Sequence, residues 1–203
     1  MSIARFPRVL LVTDRRRTGG RDLAEVVALA FAGGIRFVQV RERDQGDEEV
    51  RRWLERIRAA APAGTLVAVN GRAGVARDLG AGLHLPAAAA LPDTSNLAFW
   101  GRSAHGEGEV LRAVREGADY VVVGTAFPTA SKPSAPTLGI EGVARLAGIA
   151  GARPVFAIGG VDAARAGALR KAGIHGVAVC SAVLEAPDPA AAAQDLIEAA
   201  GRD

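Results

Sequence analysis

The sequence has 203 residues, 49% hydrophobic, 23% charged and 4% aromatic, which describes one globular domain over 1–203 and excludes disorder or a disulfide-stapled mini-protein. Only Lys132 and Lys171 among its 25 basic residues are lysine, and the arginines are spread among 22 acids with no basic block or aromatic stacking surface, which argues against a nucleic-acid partner. One cysteine, Cys180, precludes an internal disulfide and fits a cytoplasmic location, while MSIARFPRVLLVTD lacks a signal-peptide pattern and no apolar run reaches the roughly 18 residues of a membrane span.

Short strand-like runs alternate with stretches of helical periodicity eight times along the chain. The predicted strands are VLLVT from Val9, FVQV from Phe37, TLVAVN from Thr65, LHL from Leu83, AFWGRS from Ala98, YVVVG from Tyr120, VFAIG from Val155 and GVAVC from Gly176. Leu23, Val26, Val27 and Ala30 mark the apolar stripe of the first helix. Val50, Trp53, Leu54 and Ile57 mark that of the second. After the fourth strand, AAAALPDTSN predicts only a short or irregular helix. The proline-rich stretch 127–138 reads as a long active-site loop. Asp162 is a predicted helix cap, and Asp188 caps a helix with Pro189 in its first turn.

Eight such units fit a small closed (β/α)8 barrel with short loops. A doubly wound open sheet is the alternative, but no GxGxxG turn follows the first strand. In a barrel, chemistry gathers at the C-terminal ends of the strands. Those ends hold Thr13 and Asp14, then Gln39, Arg41, Glu42 and Arg43, then Asn70, His84, Ser103 and His105. Next come Gly124, Thr125, Thr129, Ser131 and Lys132, and finally Gly159, Gly160, Cys180 and Ser181. The opposite ends, with Arg8, Arg36, Thr65, Asp119, Arg153 and Gly176, read as capping and solvation.

Gly159 and Gly160, with Cys180 and Ser181, predict a phosphate site after strands 7 and 8, built from backbone N–H groups and a helix N-terminus. Asp162 should then turn its carboxylate away from the anion. Gln39, Arg41 and Arg43 alternate, so an extended strand end would point all three into the barrel mouth. Arginine there suits phosphate or carboxylate, and Glu42 would point the other way, toward an ion partner.

The strings VTD, QVRER, VNGR, GLHLP, GRSAH, ADYVVVGTAFPTASKP, AIGG and GVAVCSAV resemble, in register over nearly the whole chain, the family of thiamine phosphate synthase and the TenI thiazole tautomerases. The resemblance implies a small (β/α)8 barrel of thiamine biosynthesis whose partner is a thiazole phosphate, and it is compatible with a homodimer. In the synthase branch, a pyrimidine pyrophosphate ionises and a thiazole phosphate nitrogen captures the cation, with magnesium held by two aspartates. Here Gly71 follows Asn70, and Pro86, Ala87, Ala88 and Ala89 follow the histidine strand, so neither carboxylate is present and no metal ligand set is expected.

VNGR and HLP instead resemble the TenI branch, which implies an isomerase that aromatises a carboxythiazole phosphate by proton transfer without a cofactor. The branch's histidine position is Thr125 in this chain. His105 and Lys132 are therefore the candidate acid/base residues. The resemblance assigns Gln39, Arg41, Arg43, Asn70, Ser103, Thr125, Thr129 and Ser131 to substrate binding. The tautomerase is the favoured reading from sequence. Thiamine phosphate synthase, with magnesium only in that case, and a non-catalytic thiazole-phosphate-binding regulator are the alternatives.

Overall fold

The computed structural model describes residues 6–129, 134 and 136–201. Eight parallel strands close into a barrel in sequence order: β1 (Val9–Val12), β2 (Phe37–Val40), β3 (Leu66–Asn70), β4 (Gly82–Leu85), β5 (Trp100–Ala104), β6 (Tyr120–Gly124), β7 (Val155–Ile158) and β8 (Gly176–Val179). Pairing of Val9, Leu10 and Leu11 with Val177, Ala178 and Val179 closes the ring. The helices are α1 (Leu23–Ala32), α2 (Asp47–Ala60), α3 (Ala73–Asp78), α4 (Glu107–Arg115), α5 (Gly139–Ala150), α6 (Ala163–Lys171), α7 (Ser181–Leu184) and α8 (Pro189–Ala200). No helix among the described residues is long and apolar enough to cross a membrane.

Strand parity sorts the side chains into two cores. Because successive residues face opposite sides of a strand, Leu10, Val12, Phe37, Ala68, Tyr120, Val122, Phe156 and Ala178 fill the barrel interior. Their neighbours Val9, Leu11, Val38, Val67, Val121, Val155 and Val177 pack outward against the helices. The stripes predicted for the first two helices join that outer core, with Leu23, Val26, Val27, Ala30, Val50, Leu54 and Ile57 buried and Trp53 packed at its edge.

The interior floor is aromatic. Phe6 plugs it from below, and its ring lies 5.2 to 5.7 Å from those of Phe37, Phe99 and Tyr120. Room for those rings comes from small residues on neighbouring strands. A Cβ on Gly101 would lie 2.3 Å from the Tyr120 ring, closer than carbon atoms can approach.

The lower rim spends its polar groups on backbone. An Nη of Arg8 donates to the His175 carbonyl at 3.0 Å, and Arg36 donates to those of Phe31 and Ile35. Thr65 donates to Pro62 and Arg153 to Ala118, while Asp119 accepts the Trp100 amide. These bonds seal the ends of buried strands, as the capping reading anticipates.

The fourth unit departs from the expectation of a short helix. Residues 86–99 contain none, and a buried ion-pair cluster holds them instead. Arg102 has the outward parity of β5 and is fully buried. Its Nη1 donates to the carbonyls of Pro86, Ala87 and Ala89 at 3.2, 3.1 and 2.7 Å. Arg112 adds a 2.9 Å bond to Ala89, and Glu116 pairs with both guanidinium groups at 2.6 and 2.7 Å. The Pro86 carbonyl also accepts the Ala89 amide at 3.1 Å in a single turn, and the arginine donors hold the segment there in place of the helix that the alanines favour.

Candidate active site

The same parity that builds the floor aims the next residues up each strand into the mouth. Gln39 stands two residues beyond Phe37, Asn70 two beyond Ala68, and Ser103 two beyond Gly101. Gln39 is buried and Asn70 and Ser103 are half-buried. The side chains of Gln39, Arg41, Arg43 and Asn70 form no hydrogen bond or ion pair with any described residue.

Arg41 is the central charge. It is half-buried, and its backbone amide donates to the Thr13 hydroxyl at 2.9 Å. Burial lowers the pKa of its guanidinium, and the Arg43 charge lowers it further, while Cys180 and Asp14 act weakly in the opposite sense. Arg41 therefore lies within the field of groups from β1, β2 and β8, with no acid bonded to it. A guanidinium so placed can receive an anionic group chemically.

Two expectations about this strand end need correction. β2 stops at Val40, and Arg43 lies in a turn closed by the Gln45 amide on the Glu42 carbonyl at 3.4 Å. Arg43 thus reaches the neighbourhood of Arg41 through a turn, not through strand alternation. Glu42 is not turned toward an ion partner: it is buried, and its carboxylate accepts the Thr13 hydroxyl at 2.7 Å and the Arg15 amide at 3.1 Å.

The loops after β6 and β7 interlock. Ala126 and Phe127 donate to the carbonyls of Ile158 and Gly159 at 2.8 and 3.0 Å. Gly159 and Gly160 have φ of 103° and 61°, and a Cβ on Gly160 would stand 2.4 Å from the Pro128 carbonyl oxygen. Only glycine tolerates both the backbone angle and the approach. Asp162 caps α6 by accepting the Arg165 amide at 2.8 Å, so its carboxylate stands at the N-terminus of that helix. Ser181 opens α7, a single short turn of helix ending at Leu184. Arg21 donates to the Leu184 carbonyl at 2.7 Å and Arg17 pairs with Glu185, which fixes that helix to the loop after β1.

Cys180 is half-buried, and burial pushes its thiol up to about 12, which disfavours the thiolate. Thr125 is nearly buried and Thr129 half-buried beside these loops. Ser131 and Lys132 lie outside the described residues.

His105 is exposed at the end of β5. Its Nδ1 lies 2.5 Å from the Gly124 carbonyl oxygen, and its amide donates to Glu109 at 2.6 Å. A carbonyl only accepts, so Nδ1 carries a proton, and Nε2 is bonded to no described residue. His84, by contrast, is enclosed. Its Nδ1 lies 3.0 Å from the Tyr120 hydroxyl and its Nε2 2.8 Å from the Ser103 hydroxyl. Burial, with the Arg41 and Arg102 charges, pushes its pKa down to about 3. His175 contacts the Phe6 carbonyl at 2.9 Å on the lower rim, remote from this chemistry.

The mouth does not fit a magnesium ion. No group of three or more His, Cys, Asp or Glu residues among the described residues is placed to hold a metal. Gly71 and Ala87–Ala89 supply no carboxylate, and Arg102 and Arg112 engage the carbonyls of Pro86, Ala87 and Ala89. A hard divalent cation needs several such oxygens.

A family model described as thiamine monophosphate synthase matches residues 9–183. The thiamine-phosphate synthase of Streptomyces avermitilis is 41% identical over 201 residues, covering 93% of this chain and 91% of that protein. That of Mycolicibacterium smegmatis is 39% identical over 210 residues, covering 94% and 92%. Among solved structures, a thiamine phosphate pyrophosphorylase from Pyrococcus furiosus superposes with a TM-score of 0.84 at 30% identity, covering 95% of each chain.

Proposed function

The chain belongs to the thiamine monophosphate synthase family, and from that premise we propose that it joins a pyrimidine pyrophosphate to a thiazole phosphate. The tautomerase reading favoured from sequence becomes the second choice. The observation that carries the synthase reading is Arg41, a half-buried cation bonded to no acid, with Arg43 beside it. A transferase that expels pyrophosphate needs fixed positive charge at that point.

In the proposed step the C–O bond between the pyrimidine methylene and the pyrophosphate breaks, and the pyrophosphate leaves with the electron pair. The thiazole nitrogen lone pair then forms the new C–N bond. Arg41, Arg43 and Lys132 receive the pyrophosphate. Backbone amides around Gly159, Gly160, Cys180 and Ser181 hold the thiazole phosphate, as in phosphate sites at helix N-termini. Gln39, Asn70, Ser103, Thr125, Thr129 and Ser131 orient the rings. No step is assigned to a metal, because the residues present do not fit one.

The geometry of His105 favours the tautomerase as the second reading. An imidazole oriented by a backbone carbonyl, with its other nitrogen bonded to no described residue, has the form that proton transfer needs. Incubation with both synthase substrates, in chelator and in saturating magnesium, followed by chromatography of thiamine phosphate, tests the first reading. Thiamine phosphate formation that survives His105→Ala supports it. Absence of product under both conditions overturns it. Conversion of the non-aromatic carboxythiazole phosphate, lost in His105→Ala, supports the second reading, and ligand binding without either turnover leaves only the regulator.

A further inference from the structure

Tyr120, His84 and Ser103 form a hydrogen-bonded chain from the barrel floor to its mouth, and the direction of its protons follows from counting donors. The Tyr120 hydroxyl is fully buried beneath the mouth, among the rings of Phe6, Phe37, Phe99 and Phe156. Among the described residues its hydrogen-bond partner is His84 Nδ1. A buried O–H with no acceptor costs about 1–3 kcal/mol, whereas an unused oxygen lone pair costs less.

The phenol therefore donates, and Nδ1 accepts. His84 is neutral at ordinary pH, so its one ring proton sits on Nε2, which donates to the Ser103 oxygen at 2.8 Å. Ser103 then has its own O–H left over, and this points away from the imidazole into the mouth, where Ser103 is half-exposed. The reverse order would have Ser103 donate inward and strand the phenol proton in the aromatic floor.

We propose that Tyr120 and His84 are positioning residues that make Ser103 an obligate hydrogen-bond donor to an acceptor atom of the bound substrate. The chemistry that matches such a donor is an unprotonated ring nitrogen of a heteroaromatic ligand or an oxygen of its anionic group. The identity of that ligand rests on the synthase reading above. The proton order itself does not.

Nitrogen-15 NMR of histidine-labelled protein tests the order directly on the unmodified chain, with the His84 signals assigned by comparison with His105→Ala and His175→Ala. The expected result is a neutral ring with its proton on Nε2, unchanged between pH 8 and pH 5. A proton on Nδ1, or a ring that titrates in that range, overturns the proposal. Tyr120→Phe should shift the Nδ1 resonance toward that of an unbonded nitrogen. An unchanged spectrum removes Tyr120 from the chain.

For the ligand, titration calorimetry with thiazole phosphate and, separately, with the pyrimidine pyrophosphate should show Ser103→Ala weakening one of the two about tenfold, the loss of one hydrogen bond. Unchanged affinity for both overturns the positioning role. Failure of the parent protein to turn over substrate, with the Nε2–H form intact, would overturn the synthase reading and leave the proton order standing.

Discussion

The two rims of this barrel use similar residues to opposite ends. On the lower rim Arg8, Arg36 and Arg153 each donate to a backbone carbonyl of an adjoining segment. On the upper rim the side chains of Arg41 and Arg43 form no hydrogen bond or ion pair with the described residues, and neither do those of Gln39 and Asn70. Below, the partner is built into the chain, and the bond serves stability. Above, burial and the Arg43 charge disfavour the Arg41 guanidinium, the nearby Cys180, Asp14 and Glu42 act in the opposite sense, and the pKa is lowered on balance. A half-buried cation with no bonded acid among the described residues is placed where the proposed pyrophosphate could neutralise it.

The sharpest way to break this contrast is Arg41→Ala. Its kcat/KM should fall about 100-fold, equivalent to roughly 2.7 kcal/mol of lost transition-state stabilisation, while its Tm stays level or rises because an uncompensated charge is removed. Steady-state kinetics with thermal unfolding measures both. A large drop in Tm would assign Arg41 to the structure.

Gly101→Ala should couple the two regions. Its Cβ would enter the Tyr120 ring, and overpacking should lower stability by about 1–3 kcal/mol, measured by urea denaturation. A neutral result would show the floor to be looser than its ring distances imply.

Acid should act on the chain above the floor. The unfolded His84 binds a proton below about pH 6.5, whereas the folded side chain resists one until about pH 3. Stability present above pH 6.5 is therefore lost as pH falls through that window, by about 1.4 kcal/mol between pH 7.5 and pH 5.5. Denaturation at both pH values should show this slope in the parent and a flatter one in His84→Gln. Equal slopes would remove His84 as the source.

The smallest effect belongs to the lower rim. Arg153→Ala should cost about 1 kcal/mol, through its bond to the Ala118 carbonyl, and leave kcat/KM unchanged. A loss of activity in this variant would dissolve the contrast between the rims.

Alternation was enough to read most of the mouth. Gln39, Asn70 and Ser103 share parity with the inward residues Phe37, Ala68 and Gly101, so a period of two places them above the floor before any coordinates are known. Arg43 escaped that logic because β2 ends at Val40 and the turn resets direction. Glu42 escaped it because its partners, Thr13 and Arg15, lie 27 to 29 residues away in sequence. The histidine chain had a partial signal. His84, Tyr120 and Ser103 all carry inward parity, but parity does not report that their polar atoms meet.

Eight alternating units, the apolar stripes, the caps at Asp162 and Asp188 and the paired glycines after β7 are local patterns, written within a few residues of one another. The sequence by itself therefore determined the barrel, its chemical end and the absence of the two magnesium carboxylates. Only the tertiary structure decided which polar groups are already spent. The hold of Arg102 and Arg112 on Ala89, the lower-rim bonds of Arg8 and Arg153, the bonded Nδ1 of His105 and the Tyr120–His84–Ser103 chain each join segments far apart in sequence. Hydrogen bonds depend on distance and direction within tenths of an ångström, and that information exists only once the strands have closed.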